Sequence, residues 1–448
     1  MKLTVNNFGI INKAEVEIGG LTVITGENDT GKSTVGKVIF SLVKAFARYR
    51  EDLEENKDNT ILSFLEEIYF TLRRIVNISY EDDVRDFFQP RRLQNQLRLE
   101  YRMARNEAFV ILDSTRQKGI NIPPEFYNLV EKNFAKIEYV LNEPEDKKGA
   151  INRAIKKAFY SEFKNEILQK GTLAKNEATI SIRDGVSDII DLSLSSEGTI
   201  KYQANDDLGF SDATYVDSPA VIQFNNLVRT SKTLFDDTAS NRLTVPLHLK
   251  DLSSKLSDSM YGFLELDLFE SDTEMTALTK TISGLLDGSV DYDNDKKDFV
   301  FNRDGVSISS TNIASGIKAL GMLDLLIKGG NTKKNSLLIL DEPEVNLHPK
   351  WQVAYCDIIT SLVGCGVDLI VTTHSPYIVH ALKEFSTKKG IKNQFYLAHK
   401  KEFERFSEFL DISNNISYAI DLLAMPMHDL NKKSVDDVFS KNNFKDME

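Results

Sequence analysis

The sequence contains few of the residues that cross-link a chain or bind soft metals. It has two cysteines, Cys356 and Cys365, and six histidines in 448 residues. Two cysteines are too few for a disulfide framework, and they are too far apart for a zinc knuckle. Both lie in or next to an apolar run, which predicts small, reduced side chains in the core. Disulfide scaffolds and cysteine-bound zinc sites are therefore excluded.

Long apolar runs and an excess of positive charge are also missing. No run approaches the roughly 20 residues that a membrane-spanning helix needs. The first residues, 1–3, lead into a strand rather than a signal peptide, so we expect a cytoplasmic protein without a membrane partner. The formal net charge is −12, which argues against nucleic acid coating the whole surface. A local basic patch is still compatible with that charge.

The segment around which the chain is organised is a phosphate-binding loop between an apolar strand and a helix. Residues 21–25 predict a buried strand, and residues 35–40 open a helical pattern. Between them the pattern G-x-x-x-x-G-K-S predicts an ATP-binding P-loop, because its backbone N–H groups and the helix N-terminus attract phosphate. The loop residues are Gly26, Glu27, Asn28, Asp29, Thr30, Gly31, Lys32, Ser33 and Thr34. A glycine-rich turn that binds nothing is the alternative, and the flanking strand and helix argue against it.

A second motif is an apolar strand that ends in two acids. Residues 336–340 predict the strand, and Asp341 and Glu342 follow it. Ligands bind at the carboxyl ends of parallel strands. With ATP at the P-loop, Ser33 and Asp341 are predicted to hold Mg²⁺, and Glu342 to act as general base. Two acids at a strand end could also mark only a helix N-terminus.

Two further candidates are Ser315-Gly316, before an apolar helix, and His374, which follows the apolar run 367–373. Alone, Ser-Gly before a helix is an ordinary cap, and a lone histidine is usually structural. Their order in the chain, after the P-loop and on either side of the Asp-Glu pair, favours functional roles for both.

In this order the motifs resemble the ATPase heads of SMC, RecF and OLD-type proteins, an ABC-type branch of the AAA ATPases. The resemblance implies that Ser315 and Gly316 meet the γ-phosphate held by another subunit, so that two copies pair through shared ATP sites. It implies that His374 bonds the γ-phosphate. It also implies a glutamine near Mg²⁺ and the attacking water; Gln223 is the best candidate, and an ordinary surface glutamine is the alternative.

The resemblance also implies the fold class: an α/β, ABC-type P-loop ATPase head with an inserted helical subdomain. We predict the ATPase core in residues 1–35, 172–223 and 289–448. Charged and apolar residues alternate at helical spacing over 36–171, which predicts a helical insertion. Residues 224–288 predict a second, smaller and mostly helical insertion.

The predicted helical insertion contains a basic face. Arg91, Arg98, Arg102 and Arg105 are spaced by seven, four and three residues, which places them on one side of a helix. Such a face could contact DNA phosphates or an acidic protein surface. A solvated or internally paired face is the alternative, and the many acids of the chain favour it.

The tail after His374 is too short for the nuclease domain that OLD-type nucleases carry there. The chain resembles the stand-alone ATPases of bacterial phage-defence systems of the PARIS or Septu type. This resemblance implies a nucleotide-gated sensor or scaffold for a separate effector protein, with a nuclease as one candidate. A DNA-repair ATPase of the RecF or SMC type is one alternative, and an ATPase subunit of a transporter is another.

Overall fold

The computed structural model describes most of the chain as a mixed α/β protein. The described residues are 1–75, 82–142, 147–164, 166–171, 174–195, 200–204, 208–229, 245–269, 273–345, 347–401 and 404–425. The strands are β1 (Lys2–Phe8), β2 (Ile11–Glu17), β3 (Leu21–Gly26), β4 (Glu177–Asp184), β5 (Ser187–Ser195), β6 (Ile200–Ala204), β7 (Asp212–Val216), β8 (Ser289–Asp293), β9 (Asp298–Arg303), β10 (Val306–Ser309), β11 (Ser336–Asp341), β12 (Asp368–Thr373), β13 (Asn393–His399) and β14 (Ser407–Asp411). The predicted α/β fold class is confirmed.

Helices lie in several of the intervals between these strands. They are α1 (Lys32–Ile75), α2 (Asp82–Phe87), α3 (Pro90–Gln117), α4 (Pro124–Asn142), α5 (Lys147–Phe163), α6 (Val221–Arg229), α7 (Leu247–Phe269), α8 (Thr273–Leu286), α9 (Ser315–Lys328), α10 (Pro349–Gly364) and α11 (Pro376–Lys388). Proline at the first turn begins α10 and α11, where its missing N–H costs no hydrogen bond. Within the ranges described, no helix is long and apolar enough to cross a membrane.

The large sheet brings the predicted motifs to one edge. Its eleven strands run in the order β6-β5-β4-β1-β2-β14-β13-β3-β12-β11-β7. The strands β13, β3, β12, β11 and β7 pair in parallel, and their register places Thr25 beside Thr373 and Asp341 beside Thr372. The P-loop, the Asp-Glu pair and His374 therefore all follow strands whose carboxyl ends meet at the same edge.

Burial of the central strands explains their sequence. Every residue of β3 is buried, and β11 is buried from Ser336 to Leu340. Parallel strands covered on both faces read as continuous apolar runs rather than as alternating ones. The same core includes Leu323 and Leu326 from α9 and Ile359 from α10.

The chain divides into two compact units. One comprises residues 1–47 and 155–448, and the other comprises residues 48–154. The second unit has its own apolar core, which includes Leu65, Leu97, Leu112 and Phe134 from helices α1, α3 and α4.

The helical unit is shorter than the predicted insertion 36–171 at both ends. Early α1 residues such as Val38 and Phe40 are fully buried in the first unit because the P-loop helix lies in the sheet core. Near the other end, Phe163 packs edge-on against Phe8 of β1 with ring centroids 5.1 Å apart. Residues 224–288 do not form a unit of their own, because Leu252 and Leu286 belong to the main core.

A closed ring of ion pairs, in which the Asp212 side chain is 38% exposed and the other three are largely buried, joins α1, β7 and α7. Lys44 Nζ lies 2.7 Å from Asp212 Oδ1 and 2.6 Å from Asp251 Oδ1. Lys255 Nζ lies 2.7 Å from Asp212 Oδ2 and 3.0 Å from Asp251 Oδ2. Burial alone would lower the pKa of Lys44, but the two carboxylates raise it above its usual value. The ring fixes β7 against its neighbouring helices.

Asp251→Ala is expected to destabilise the protein by about 3–5 kcal/mol, because it leaves two largely buried ammonium groups to share the single carboxylate of Asp212. Chemical denaturation followed by circular dichroism measures the change. The control is Glu166→Ala, whose partner Lys170 and own side chain are both exposed; it should cause no measurable change. Equal stability of Asp251→Ala and the control would show that the ring contributes nothing.

Candidate functional site

The P-loop has the backbone geometry that its two glycines predict. Gly26 has φ +144°, and a side chain there would meet the Ala398 carbonyl oxygen at 2.1 Å. Gly31 has φ +84°, and a side chain there would meet Ile11 at 2.7 Å. Only glycine fits both positions. The helix α1 begins directly after the loop at Lys32, so its N-terminal N–H groups are available to an anion.

Lys32 lies inside this loop. Its ammonium group donates to the carbonyl oxygens of Gly26 at 3.0 Å and Glu27 at 2.7 Å. Burial lowers the pKa of Lys32, although the carboxylates of Glu342 and Asp341 oppose the shift. A buried ammonium held only by neutral carbonyls in the loop is suited to bind a phosphate as its counter-charge.

Asp341 is surrounded by hydroxyl groups from three elements. Ser33 Oγ donates to Asp341 Oδ1 at 2.9 Å, and Tyr215 Oη donates to Asp341 Oδ2 at 2.8 Å. The Thr372 hydroxyl also donates to Oδ1. The structure therefore brings Ser33 and Asp341 together. A hydroxyl and a carboxylate are the hard oxygen donors that Mg²⁺ prefers, so this pair fits the ion.

Glu342 is partly exposed. Its backbone has φ +50°, and its N–H donates to the Thr372 carbonyl oxygen at 3.0 Å. Its side chain is 32% exposed, and Oε1 lies 3.6 Å from His374 Nδ1. The left-handed backbone turns this carboxylate away from the strand direction. Glu342 and His374 are therefore side by side.

Glu344 was missed as a site residue by sequence reasoning. Its side chain is only 5% exposed. Its Oε1 accepts from the Thr373 hydroxyl at 2.7 Å and from the backbone N–H groups of His374 at 2.9 Å and Ser375 at 3.1 Å. Glu344 therefore fixes the turn that presents His374. The available signal was a third acid, two residues after Glu342, in an otherwise apolar setting.

The Ser315-Gly316 pair lies where the sequence places it, at the N-terminus of a helix. The helix α9 begins at Ser315, which is exposed, and Ala314 occupies the N-cap position. Ser315 makes no side-chain hydrogen bond to any residue within the described ranges. Its hydroxyl is thus accessible to a group outside its own subunit.

Gln223 is hydrogen-bonded to a lysine of α9. It lies in α6, and its Oε1 accepts from Lys318 Nζ of α9 at 2.9 Å. The residue that directly follows β7, the strand next to β11, is Asp217, because Val216 is in register with Leu340. Asp217 lines a cavity together with Asp341 and Glu342. The sequence analysis chose Gln223 because the resemblance calls for a glutamine near this strand. The pairing of β7 with β11 instead places Asp217 at the strand end next to Asp341.

Half of the predicted basic face is paired within the helical unit. Arg98 forms an ion pair with Asp58, and Arg105 lies 3.2 Å from Glu131. Arg91 and Arg102 are exposed. These contacts favour the interpretation of an internally paired face.

A family model described as "AAA ATPase domain" matches residues 1–379. The match includes the P-loop, Ser315, the Asp-Glu pair and His374. Among curated proteins, no significant sequence match was found.

Solved structures of SMC heads are similar to the chain at 11% identity. The SMC head domain from Thermotoga maritima has a TM-score of 0.40, with 92% of this chain and 97% of that chain covered. An SMC head bound to the C-terminal winged-helix domain of ScpA has a TM-score of 0.43, with 93% and 98% covered. An SMC head with an extended coiled coil, bound to the C-terminal domain of ScpA derived from Pyrococcus furiosus, has a TM-score of 0.40, with 95% and 98% covered.

Proposed function

The chain belongs to the AAA ATPase domain family, and on that premise we propose that it hydrolyses ATP to ADP and phosphate at this site. The observation that carries the proposal is the meeting of Lys32, Ser33, Asp341 and Glu342 at the carboxyl ends of the parallel strands β3 and β11, which are joined through β12. Each of the four is the residue type that one step of phosphoryl transfer needs.

The P-loop N–H groups and Lys32 would bind the phosphates and stabilise the charge that develops on them. Ser33 and Asp341 would hold Mg²⁺, which would neutralise charge on the β- and γ-phosphates. Glu342 would take a proton from a water molecule as that water attacks the γ-phosphorus. The bond to the β–γ bridging oxygen then breaks, and ADP leaves with its electron pair. His374 would donate a hydrogen bond to the γ-phosphate, in a position fixed by Glu344.

Two copies are proposed to share each site. The hydroxyl of Ser315 makes no hydrogen bond in the described part of its own chain, and α9 presents its N-terminus there. A second subunit's γ-phosphate would complete this contact, and Gly316 would allow its close approach. ATP binding would therefore close the pair of subunits, and hydrolysis would release it.

The cellular role proposed is a nucleotide-gated sensor or scaffold for a separate effector, with a nuclease as the candidate, in bacterial phage defence in the cytoplasm. The site accounts for nucleotide chemistry only, and the described residues contain no cluster of three acids, cysteines or histidines placed to bind a nuclease metal. An effector activity would then belong to a partner protein. Purification of the native complex and mass spectrometry of its members tests this role, and a complex without any second protein would contradict it.

Ser315→Arg is expected to abolish the ATP-dependent association of subunits, because a long charged side chain would occupy the place of a γ-phosphate contact. Light scattering after size exclusion, with and without a non-hydrolysable ATP analogue, measures the mass. The wild type should gain mass with nucleotide, and the variant should not. Ser254→Arg, at an exposed position of α7, is the matched control and should behave as the wild type. ATP-dependent association that is unchanged in Ser315→Arg would contradict the proposal that two subunits share each ATP site.

A further inference from the structure

His248 is a buried ionisable side chain beside the nucleotide site that the steps above do not use. It lies in the first turn of α7, and 2% of its side chain is exposed. Its Nδ1 lies 2.7 Å from Glu162 Oε1 of α5, and its Nε2 lies 3.1 Å from Asp217 Oδ2. One imidazole ring therefore joins two carboxylates that come from different elements.

His248, Glu162 and Asp217 form a triad, in which the imidazole and the carboxylates each favour the charged form of the other. Burial alone would lower the pKa of His248, but hydrogen bonds to Asp217 and Glu162 raise it above its usual value. Burial would raise the pKa of Asp217, but the bond to His248 lowers it. A protonated imidazole donates from both nitrogens, so it satisfies both carboxylates at once. Such charge-assisted bonds hold their partners more firmly than neutral ones.

Asp217 connects the triad to the hydrolysis site. It directly follows β7, which pairs in parallel with β11 so that Val216 lies beside Leu340. One carboxylate oxygen, Oδ2, accepts from His248, whereas Oδ1 is buried and has no hydrogen-bond partner among the described residues. A buried acceptor without a partner is costly unless water or a ligand satisfies it.

A cavity lies next to this carboxylate. Its volume is about 20 Å³, and it is lined by Asp217, Asp341 and Glu342 among others. A space of this size holds one water molecule when polar groups line it. Asp217 and the predicted general base Glu342 therefore border the same water-sized space.

We propose that Asp217 is a further catalytic residue that holds the attacking water beside Glu342, and that His248 is the positioning residue that fixes Asp217. This inference rests on the proposed ATP hydrolysis at the same site. It assigns to Asp217 the water contact that residue type alone had suggested for Gln223. Glu162, which lies 3.5 Å from Lys37 of the P-loop helix, holds the other side of the imidazole.

Two substitutions of His248 separate its two contacts. Asn places its amide nitrogen near the position of Nδ1, so His248→Asn keeps the bond to Glu162 and loses the bond to Asp217. Gln reaches as far as Nε2, so His248→Gln keeps the bond to Asp217 and loses the other. Turnover and ATP affinity are measured separately for the wild type and both variants. We expect kcat to fall about 10-fold or more in His248→Asn, with affinity within about 2-fold of wild type, and His248→Gln to retain most of the turnover.

Wild-type turnover in His248→Asn, or an equal loss in both variants, would overturn the inference, since a purely structural role does not distinguish the two nitrogens. If His248→Asn loses ATP binding through misfolding, Asp217→Asn decides instead. That variant preserves side-chain size, and its kcat should fall about 10-fold or more at unchanged affinity; unchanged kcat would overturn the inference. A wild type without ATPase activity would refute the proposed function itself, and this inference with it.

Discussion

Lys32→Ala is expected to abolish ATP hydrolysis and to weaken ATP binding strongly. In the structure the Lys32 ammonium lies within the P-loop on the carbonyl oxygens of Gly26 and Glu27. Alanine removes the one point charge that the loop offers to the β- and γ-phosphates, and backbone N–H groups cannot replace it. Phosphate release and equilibrium binding of a fluorescent ATP analogue measure the two effects.

Lys170→Ala is the matched control for this loss of charge. Lys170 is an exposed lysine whose partner is Glu166. It should leave both binding and turnover at the wild-type values. Turnover that survives in Lys32→Ala, with the same purity as the control, would show that hydrolysis takes place elsewhere or belongs to a contaminant.

Glu342→Gln is expected to separate binding from hydrolysis. Glutamine keeps the size of the side chain and removes the charge that accepts a proton from water. Lys32, Ser33 and Asp341 are unchanged, so ATP and Mg²⁺ should still bind. Turnover should fall by roughly 10²-fold or more, which is the scale of lost general-base catalysis. The result should be a long-lived ATP-bound pair of subunits.

The control for Glu342→Gln is Glu131→Gln, which removes the charge of a largely exposed glutamate of α4. Single-turnover kinetics and size exclusion with ATP measure both variants. Combining Glu342→Gln with Ser315→Arg should prevent the accumulation of the pair. Pairing of Glu342→Gln subunits in the absence of ATP would contradict nucleotide-gated association. The assignment of the P-loop would not be affected by that result.

The sequence predicts the central part of the site because that part depends on local geometry. A strand, a loop with glycines at two positive-φ positions and a helix N-terminus follow one another directly in the chain, so a single sequence shows the whole P-loop. The strand that ends in Asp341 is equally recognisable, because a parallel strand buried on both faces must be a continuous apolar run. Parallel register then brings Asp341 beside Thr372 and next to Ser33.

The remaining parts of the site depend on contacts between residues that are far apart in the chain, and a single sequence does not reveal these contacts. Glu344 is buried among the N–H groups of a turn that comes thirty residues later in the chain. Asp217 and His248 meet only because α7 packs beside β7, although 31 residues separate them. Gln223 was selected by residue type, and the structure shows it bonded to Lys318 instead.

The boundaries of the helical region were predicted imprecisely for a related reason. Helical periodicity continues from the P-loop helix into residues 48–75, so composition does not reveal where the helix leaves the sheet core. Burial of Val38 and Phe40 places that change near residue 47.

The most direct test of the central claim is ATP binding and phosphate release measured on the same preparations of wild type, Lys32→Ala and Glu342→Gln, with Mg²⁺ present. The account predicts three different outcomes. The wild type binds and hydrolyses ATP, and Lys32→Ala binds it much more weakly and does not hydrolyse it. Glu342→Gln binds ATP and hydrolyses it at about one hundredth of the wild-type rate or less. Equal turnover in the wild type and Glu342→Gln, or ATP binding that is unchanged in Lys32→Ala, would contradict it.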